Sequence, residues 1–385
     1  MNIKGPLQGL LVLEFSQYLS GPSAGLRLAD LGARVIKIER PDGGDACRQL
    51  AIKNLWVDDS SLLFHTINRN KESFAADLKK SDDLELVKRL IKTADVMSNN
   101  FRPGVMKRIG LDYESVRKLN PKIIYAEVTG YGKEGPWKDK PGQDLLAQSL
   151  AGLTFTTGNG NSHPVPFGLA VADMICGAHL VQGIIAALIR LQKTGKGAYV
   201  EVSLMESLVD FQFEFLTTYF ASGGLPQRSR ISNGHSLLSA PYGIYKTANG
   251  YLALAMMPVD KLRSAIECEL LNQYSEAEVF SRRDEIKKII TQFLIEHTTE
   301  YWLDRFIKMD LWAMPVMSWD DLTEHEAYRI LDMEQTVVTG DGKQLITTRC
   351  PIRFNEHILK SGTGAPKIGE HNETILEELK NNNTA

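Results

Sequence analysis

The first forty residues constrain the fold of this chain more than any other stretch. Leu10-Leu11-Val12-Leu13-Glu14-Phe15 is an apolar run of strand length. It leads into a turn-rich segment, Ser20-Gly21-Pro22-Ser23-Ala24-Gly25, and then a short helical stretch from Leu26 to Leu31 that Gly32 closes as a helix C-cap would. Ala33 to Glu39 reads as a second strand. A strand, helix, strand start of this kind implies a parallel sheet with helices on its faces. The alternation continues with a helical period over 82–92, a strand at Ala94–Met97, a helix over 113–119 and a strand at Ile123–Val128. A long, mostly apolar helix from Asp173 to Leu191 ends at Gly195-Lys196-Gly197 and leads into a strand over 198–204. The predicted fold class is α/β.

Beyond residue 219 the pattern changes. Residues 220–239 carry Gly, Pro, Ser and Asn without periodicity and read as a linker. Tyr242–Lys246 and Tyr251–Met256, separated by Ala248-Asn249-Gly250, read as a hairpin. Helical stretches at 283–297 and 299–309 complete a smaller α+β domain over 240–330. Residues 331–385 hold a strand-like stretch over 335–346, a Gly/Pro-rich return over 361–369 and a last helix over 374–380, with 381–385 expected to fray.

Composition limits the functional classes. A chain of 385 residues, 43% hydrophobic, has enough apolar surface for two domains. A net charge of −3 argues against a general nucleic-acid partner, though local basic clusters can still meet a small anion. No uninterrupted apolar run approaches the roughly 20 residues of a membrane span, and the start, MNIKGPLQGLLVLEF, does not read as a signal peptide. The four cysteines, Cys47, Cys176, Cys268 and Cys350, are far apart and form no CxxC pair, which fits a reducing cytoplasm. No histidine spacing suggests a metal site. Although Glu39 stands where an acidic residue would meet an adenosine ribose, the first turn, Ser16-Gln17-Tyr18-Leu19-Ser20-Gly21-Pro22, lacks GxGxxG, so a nicotinamide dinucleotide is a poor expectation.

Several blocks in order resemble the class III CoA-transferase family, which also contains the alpha-methylacyl-CoA racemases. They are PLQGLLVLEFSQYLSGPSAGLRLADLGARVIKIERPDGGD (6–45), NRNKESFAADLKK (68–80), ADVMSNNFRPGVMKRIGLDYESVRKLNPKIIYAEVTGYG (94–132), GQDLLAQSLAGLTFTTG (142–158), PFGLAVADMICGAHLVQGIIAALIRLQKTGKGAYVEVSLMESL (166–208), NGHSLLSAPYGIYKTANGYLALA (233–255) and APKIGEHNETILEEL (365–379). The resemblance implies a Rossmann-like large domain built from both chain ends, here 1–219 and 331–385, with an inserted smaller domain and two chains interlocked as a homodimer. It implies acyl-CoA and a small carboxylic acid as substrates, with no tightly bound cofactor.

Asp173 precedes the apolar helix, where an Asp is ordinarily a cap that accepts an orphan N–H. The resemblance makes it the catalytic nucleophile, and a helix N-terminus favours an ionised carboxylate. In the racemase branch a His-Asp pair follows a glycine; here the matching residues are Gly142-Gln143-Asp144. A glutamine amide takes no proton near neutral pH, so Gln143 is expected to orient an oxygen rather than act as a base. Transfer is therefore favoured over racemisation, with racemase and a non-catalytic CoA-binding relative as the alternatives. Two features depart from well-known transferases: Leu19 stands where some carry glutamine, with Gln17 nearby, and the glycine-poor Asn233-Gly234-His235-Ser236 replaces a glycine run.

CoA needs cations and planar donors for its phosphates. By resemblance the binding residues are Lys37, Arg40, Lys71, Asn100, Phe101 and Arg108, with Arg102 and Lys140 set aside.

Overall fold

The computed structural model describes Gly5–Asn381. The chain divides into two compact units, one of Met1–Ala147, Ala170–Phe211 and Asp332–Ala385, the other of Gln148–Leu169 and Gln212–Leu331.

Six parallel strands carry the first unit: β1 (Leu11–Glu14), β2 (Arg34–Glu39), β3 (Glu72–Ala75), β4 (Val96–Asn99), β5 (Ile124–Thr129) and β6 (Ala198–Ser203). Their order is β3-β2-β1-β4-β5-β6, the doubly wound arrangement in which strand order reverses between β1 and β4. The central strands are buried along almost their whole length because both faces are covered, their few polar residues such as Glu14 and Ser98 included. On one face Leu13, Ile36, Met97 and Tyr125 share a core with Val87, Leu90 and Ile91 of a helix at Ser81–Thr93. Ile375 and Leu379 of the C-terminal helix Asn372–Asn381 complete this core, each contributing about 1.5–3 kcal/mol on burial. Polar contacts fix the same return: the Ala75 amide donates to Asn372 Oδ1 at 2.8 Å, and Arg34 meets Glu378 at 2.7 Å. Both ends of the chain thus build this unit. Of the expected frayed tail, 382–385 lie outside the described residues.

The opposite face carries α1 (Ser20–Asp30) and α2 (Val171–Thr194). α1 begins six residues earlier than the sequence pattern predicts. Pro22 falls in its first turn, where the missing N–H has no intrahelical partner to lose, so the Gly/Pro-rich stretch is helix and not turn. Gly25 permits α1 to lie on β1, since a Cβ there would overlap the Glu14 carboxylate. At 24 residues α2 is long and apolar enough to cross a membrane by length and composition, contrary to the expectation from the sequence. Asp173, His179 and Arg190 interrupt the apolar run and hide its length. Here it packs on α1, β5, β6 and the following helix Leu204–Phe211.

The second unit is built around a three-stranded antiparallel sheet of Gly243–Lys246, Tyr251–Leu254 and Ala313–Pro315. Leu252 and Tyr245 bury against Ile286, Ile290 and Phe306 of helices Arg283–Leu294 and Thr299–Lys308. This unit also takes in 148–169 and 212–239, so the expected linker at 220–239 falls inside it and is not a separate segment. Residues 335–346 are not one strand but parts of two, Glu334–Val338 and Gln344–Thr348, paired as a hairpin in the first unit.

Candidate active site

A cavity of about 600 Å³ opens at the carboxyl ends of β1, β4 and β5, where the strand order reverses. Open α/β sheets characteristically bind ligands there, because the loops after the two central strands part in opposite directions. Tyr18, Leu19 and Ser20 form the wall after β1, and Asn100 and Phe101 the wall after β4. Asn100 ties these walls together: its Oδ1 accepts from the Gln17 amide at 2.8 Å, and its Nδ2 donates to the Gln17 carbonyl at 2.6 Å. Gln17 is therefore held by its backbone. Tyr18, in the left-handed region at φ 64°, donates its amide to Asp45 Oδ1 at 3.2 Å.

Asp173 lines this cavity from α2. The helix starts at Val171 after an N-cap at Ala170, so Asp173 is the third helical residue and not the cap expected from the sequence. The capping role falls to Asp144 of the short helix Asp144–Leu150, whose Oδ1 accepts from the Ala172 amide at 2.7 Å and the Asp173 amide at 3.3 Å. Burial, and next the Asp144 charge, push the Asp173 carboxyl up to about 6, opposed by a hydrogen bond with Ser20. A helix N-terminus alone would lower it; here burial and the neighbouring carboxylate win. Ser20 reaches Asp173 because α1 and α2 approach closely at Gly177. A Cβ on Gly177 would lie 2.7 Å from the Ser20 carbonyl oxygen and overlap the Ser23 hydroxyl.

Gln143 also lines the cavity, and its carbonyl accepts the Ala147 amide at 3.0 Å as the short helix begins. Cys47 touches the cavity too, but burial pushes its thiol up to about 12, which leaves it neutral and a poor rival nucleophile.

None of the four expected CoA-binding cations lines the cavity. Lys37 is fully buried, 2.9 Å from Glu14 and 2.8 Å from Asp45, and donates to the Ser16 carbonyl at 2.7 Å. Burial opposes its charge, yet Glu14, Asp45 and Glu39 outweigh that and hold it well above the ordinary lysine range. Lys71 is likewise buried, donating to both Glu14 oxygens, to the Pro22 carbonyl at 2.9 Å and to Asn68 Oδ1 at 3.0 Å. Burial pulls it down to about 8, with Glu14 resisting. Both lysines brace the β1–α1 turn from beneath instead of meeting phosphate. Arg40 and Arg108 are solvent-exposed and lie outside the cavity lining, Arg40 at the end of β2 and Arg108 on a short helical turn after β4.

The cations that do line the cavity are Arg102, Lys138 and Lys140. The sequence offered one signal for Arg102, its place directly after Asn100-Phe101. Lys138 and Lys140 sit in an exposed polar stretch that reads as ordinary surface. His235 belongs to the second unit, where Nδ1 accepts the Leu237 amide at 3.3 Å, Nε2 stands 3.7 Å from Glu214, and the ring packs 4.8 Å from Phe215.

The fold and cavity define a doubly wound α/β protein with a largely buried aspartate of raised pKa and a basic wall at its strand-order reversal, suited to an anionic ligand. The chain belongs to CoA-transferase family III, whose family model matches residues 7–372. It is 33% identical to the succinate–glutarate CoA-transferase of Agrobacterium fabrum over 98% of this chain and 97% of that protein. It is also 33% identical to the acetyl-CoA:oxalate CoA-transferase of Acetobacter aceti, over 82% of this chain and 81% of that protein. The crystal structure of a CAIB/BAIF family protein from Brucella suis superposes with a TM-score of 0.85 at 31% identity, covering 98% of this chain and all of that one.

Proposed function

We propose that this enzyme moves CoA from an acyl-CoA to a free carboxylic acid through covalent intermediates on Asp173. The observation that carries this reading is the placement of Asp173: a carboxylate raised to about 6, on the cavity at the strand-order reversal, relieved of helix capping by Asp144. Such a group is ionised at neutral pH yet more basic than an ordinary aspartate, which suits attack on a thioester carbonyl.

In the first step an Asp173 oxygen bonds to the acyl carbonyl carbon, the C–S bond breaks, and CoA leaves as the thiolate. The products are a mixed anhydride and CoA–S⁻. The thiolate then attacks the aspartyl carbonyl, releasing the donor acid as its carboxylate and leaving an aspartyl-CoA thioester. An acceptor carboxylate attacks that thioester, giving a second mixed anhydride and free thiolate. Attack of the thiolate on the acceptor's acyl carbon yields the new acyl-CoA and regenerates Asp173. One thioester is exchanged for another, so no nucleotide is consumed.

Asn100 and Phe101 shape the entry for the acyl-CoA, with Phe101 available to pack on a flat group. Arg102, Lys138 and Lys140 within the cavity, and Arg40 and Arg108 outside its lining, supply cations for the CoA phosphates and for the acids. The acids are inferred to be short dicarboxylates. The two relatives are named for succinate and glutarate and for acetyl-CoA and oxalate, so three of the four acids in their names are short dicarboxylates. We further infer that two chains interlock. Only a third of the most apolar stretch of α2 is buried within one chain, and Met174 and Ile189 on that helix are about half exposed; a single-chain mass in solution would overturn this part.

The decisive experiment is to incubate the protein with an acyl-CoA and hydroxylamine and analyse peptides by mass spectrometry. A hydroxamate at Asp173, absent without acyl-CoA, is expected. Turnover without that adduct, or turnover by Asp173→Ala, refutes the nucleophile. Solvent deuterium entering the α-carbon of a 2-methylacyl-CoA would instead point to racemisation.

A further inference from the structure

Asp144 takes no part in the bond changes above, yet it lines the same cavity as Asp173. Its Oδ1 accepts the amides of Ala172 and Asp173 at 2.7 and 3.3 Å. These first-turn N–H groups have no partner inside the helix and would otherwise be directed at whatever carboxylate the turn carries. With the amides engaged by Asp144, the Asp173 carboxylate meets the Ser20 hydroxyl instead. We propose that Asp144 is a positioning residue for the nucleophile: it caps α2 in place of Asp173 and, through its own negative charge, keeps the Asp173 carboxylate poorly stabilised in the resting enzyme. This rests on the assignment of Asp173 as nucleophile.

The consequence is a difference between ground and transition state. When Asp173 attacks, its charge moves onto the former thioester oxygen, away from Asp144. A repulsion present before attack is relieved during it, which lowers the barrier. The groups that set the Asp173 charge can be named. Asp144 faces it from the helix it begins, and Ser20 from α1. Cys176 stands one turn further along α2, its thiol pushed up to about 12 by burial and therefore neutral. Arg102, Lys138 and Lys140 stand on the cavity wall and are exposed to solvent. At Asp173 burial and the Asp144 charge outweigh the hydrogen bond from Ser20.

The test compares wild type with Asp144→Asn and Asp144→Ala by kcat/KM against pH, using one donor and one acceptor throughout so that their own ionisation is common to all three. Trapping of the Asp173 hydroxamate is measured in the same preparations. Asparagine retains an oxygen acceptor for the two amides but loses the charge. Asp144→Asn should move the acid limb down by about half a pH unit or more and lower the plateau about three- to tenfold, since a less basic carboxylate is a weaker nucleophile. Asp144→Ala, which also loses the cap, should fall about tenfold further. An unshifted acid limb in Asp144→Asn, or a wild-type plateau in both variants, overturns the proposal, because a merely structural residue would lower the rate without moving the limb. Absence of the hydroxamate in wild type would defeat the nucleophile assignment itself. Its presence together with an unshifted limb would defeat only the role of Asp144.

Discussion

Replacing Asp173 by Asn should abolish transfer and at the same time make the protein more stable near neutral pH. The two roles available to this residue predict different outcomes. Were it a helix cap, asparagine would serve about equally well and stability would hardly change. In the structure it caps nothing, and burial with the Asp144 charge raises its carboxyl from 3.8 to about 6. Each unit of pKa corresponds to about 1.4 kcal/mol, so that interval represents at most ~3 kcal/mol of disfavoured charge in the folded state. Partial exposure and the asparagine's own need for hydrogen bonds reduce the expected gain to about 1–2 kcal/mol. Because the folded pKa lies above the unfolded one, the folded state binds more protons between pH 6 and 3.8, and the penalty is fully present only above pH 6. The stability difference between variant and wild type should therefore be flat from pH 7 to 8 and shrink as pH falls through 6 toward 4. Urea unfolding of both proteins at several pH values measures this. A variant no more stable than wild type at pH 7.5 would refute the assignment of strain to Asp173.

The remaining predictions separate bracing residues from ligand-binding ones and test the helix contact. Lys71→Met should lower stability by about 3 kcal/mol, because it leaves the buried Glu14 with fewer counter-charges and the Pro22 carbonyl without its donor. If Lys71 instead met phosphate, the thermal midpoint would hold and only KM for acyl-CoA would rise. Alanine at Arg102 and Lys140 together should raise that KM about tenfold, more at low salt than at high, with the thermal midpoint unchanged; an unaltered KM would remove both from the site. Gly177→Ala should force α1 and α2 apart at the Ser20 carbonyl, costing about 1–3 kcal/mol and lowering kcat about tenfold or more as Ser20 leaves Asp173. A wild-type kcat would show that this contact does not position Ser20.

The sheet was legible in the sequence because buried parallel strands are short apolar runs with helices between them. The strands at Leu11–Glu14, Arg34–Glu39 and Ile124–Thr129 fall within a residue of the expected ones. The start of α1 was not, because Ser, Gly and Pro are read as turn formers, and only the packing on Glu14 shows that Gly25 serves close approach. The reach of 148–169 into the second unit has no periodic signature; it depends on contacts between segments far apart in the chain. In the site, Asp173, Gln143, Asn100 and Phe101 were named from the sequence and do line the cavity.

The lysines show why charge is harder to place than apolar pattern. Lys37 lies on a strand between Ile36 and Ile38, and in a parallel strand buried on both faces that position has no route to solvent. A lysine there must find carboxylates, and Glu14 on the neighbouring strand, paired in register with it, is the partner that the sheet supplies. The register is a property of the fold, so no single segment of sequence discloses it. Lys138 and Lys140 present the converse: without strand or helix around them they look like surface, and only the return of that stretch to Asp144 turns them toward the cavity. The same reversal governs the two aspartates. The residue before an apolar helix looks like its cap, but the true cap arrives from another helix, and Asp173 is thereby left with a charge that the fold does not fully stabilise. A carboxylate in that condition is costly for a structural role and useful for attack on a thioester, which is the physical reason to place the chemistry at Asp173.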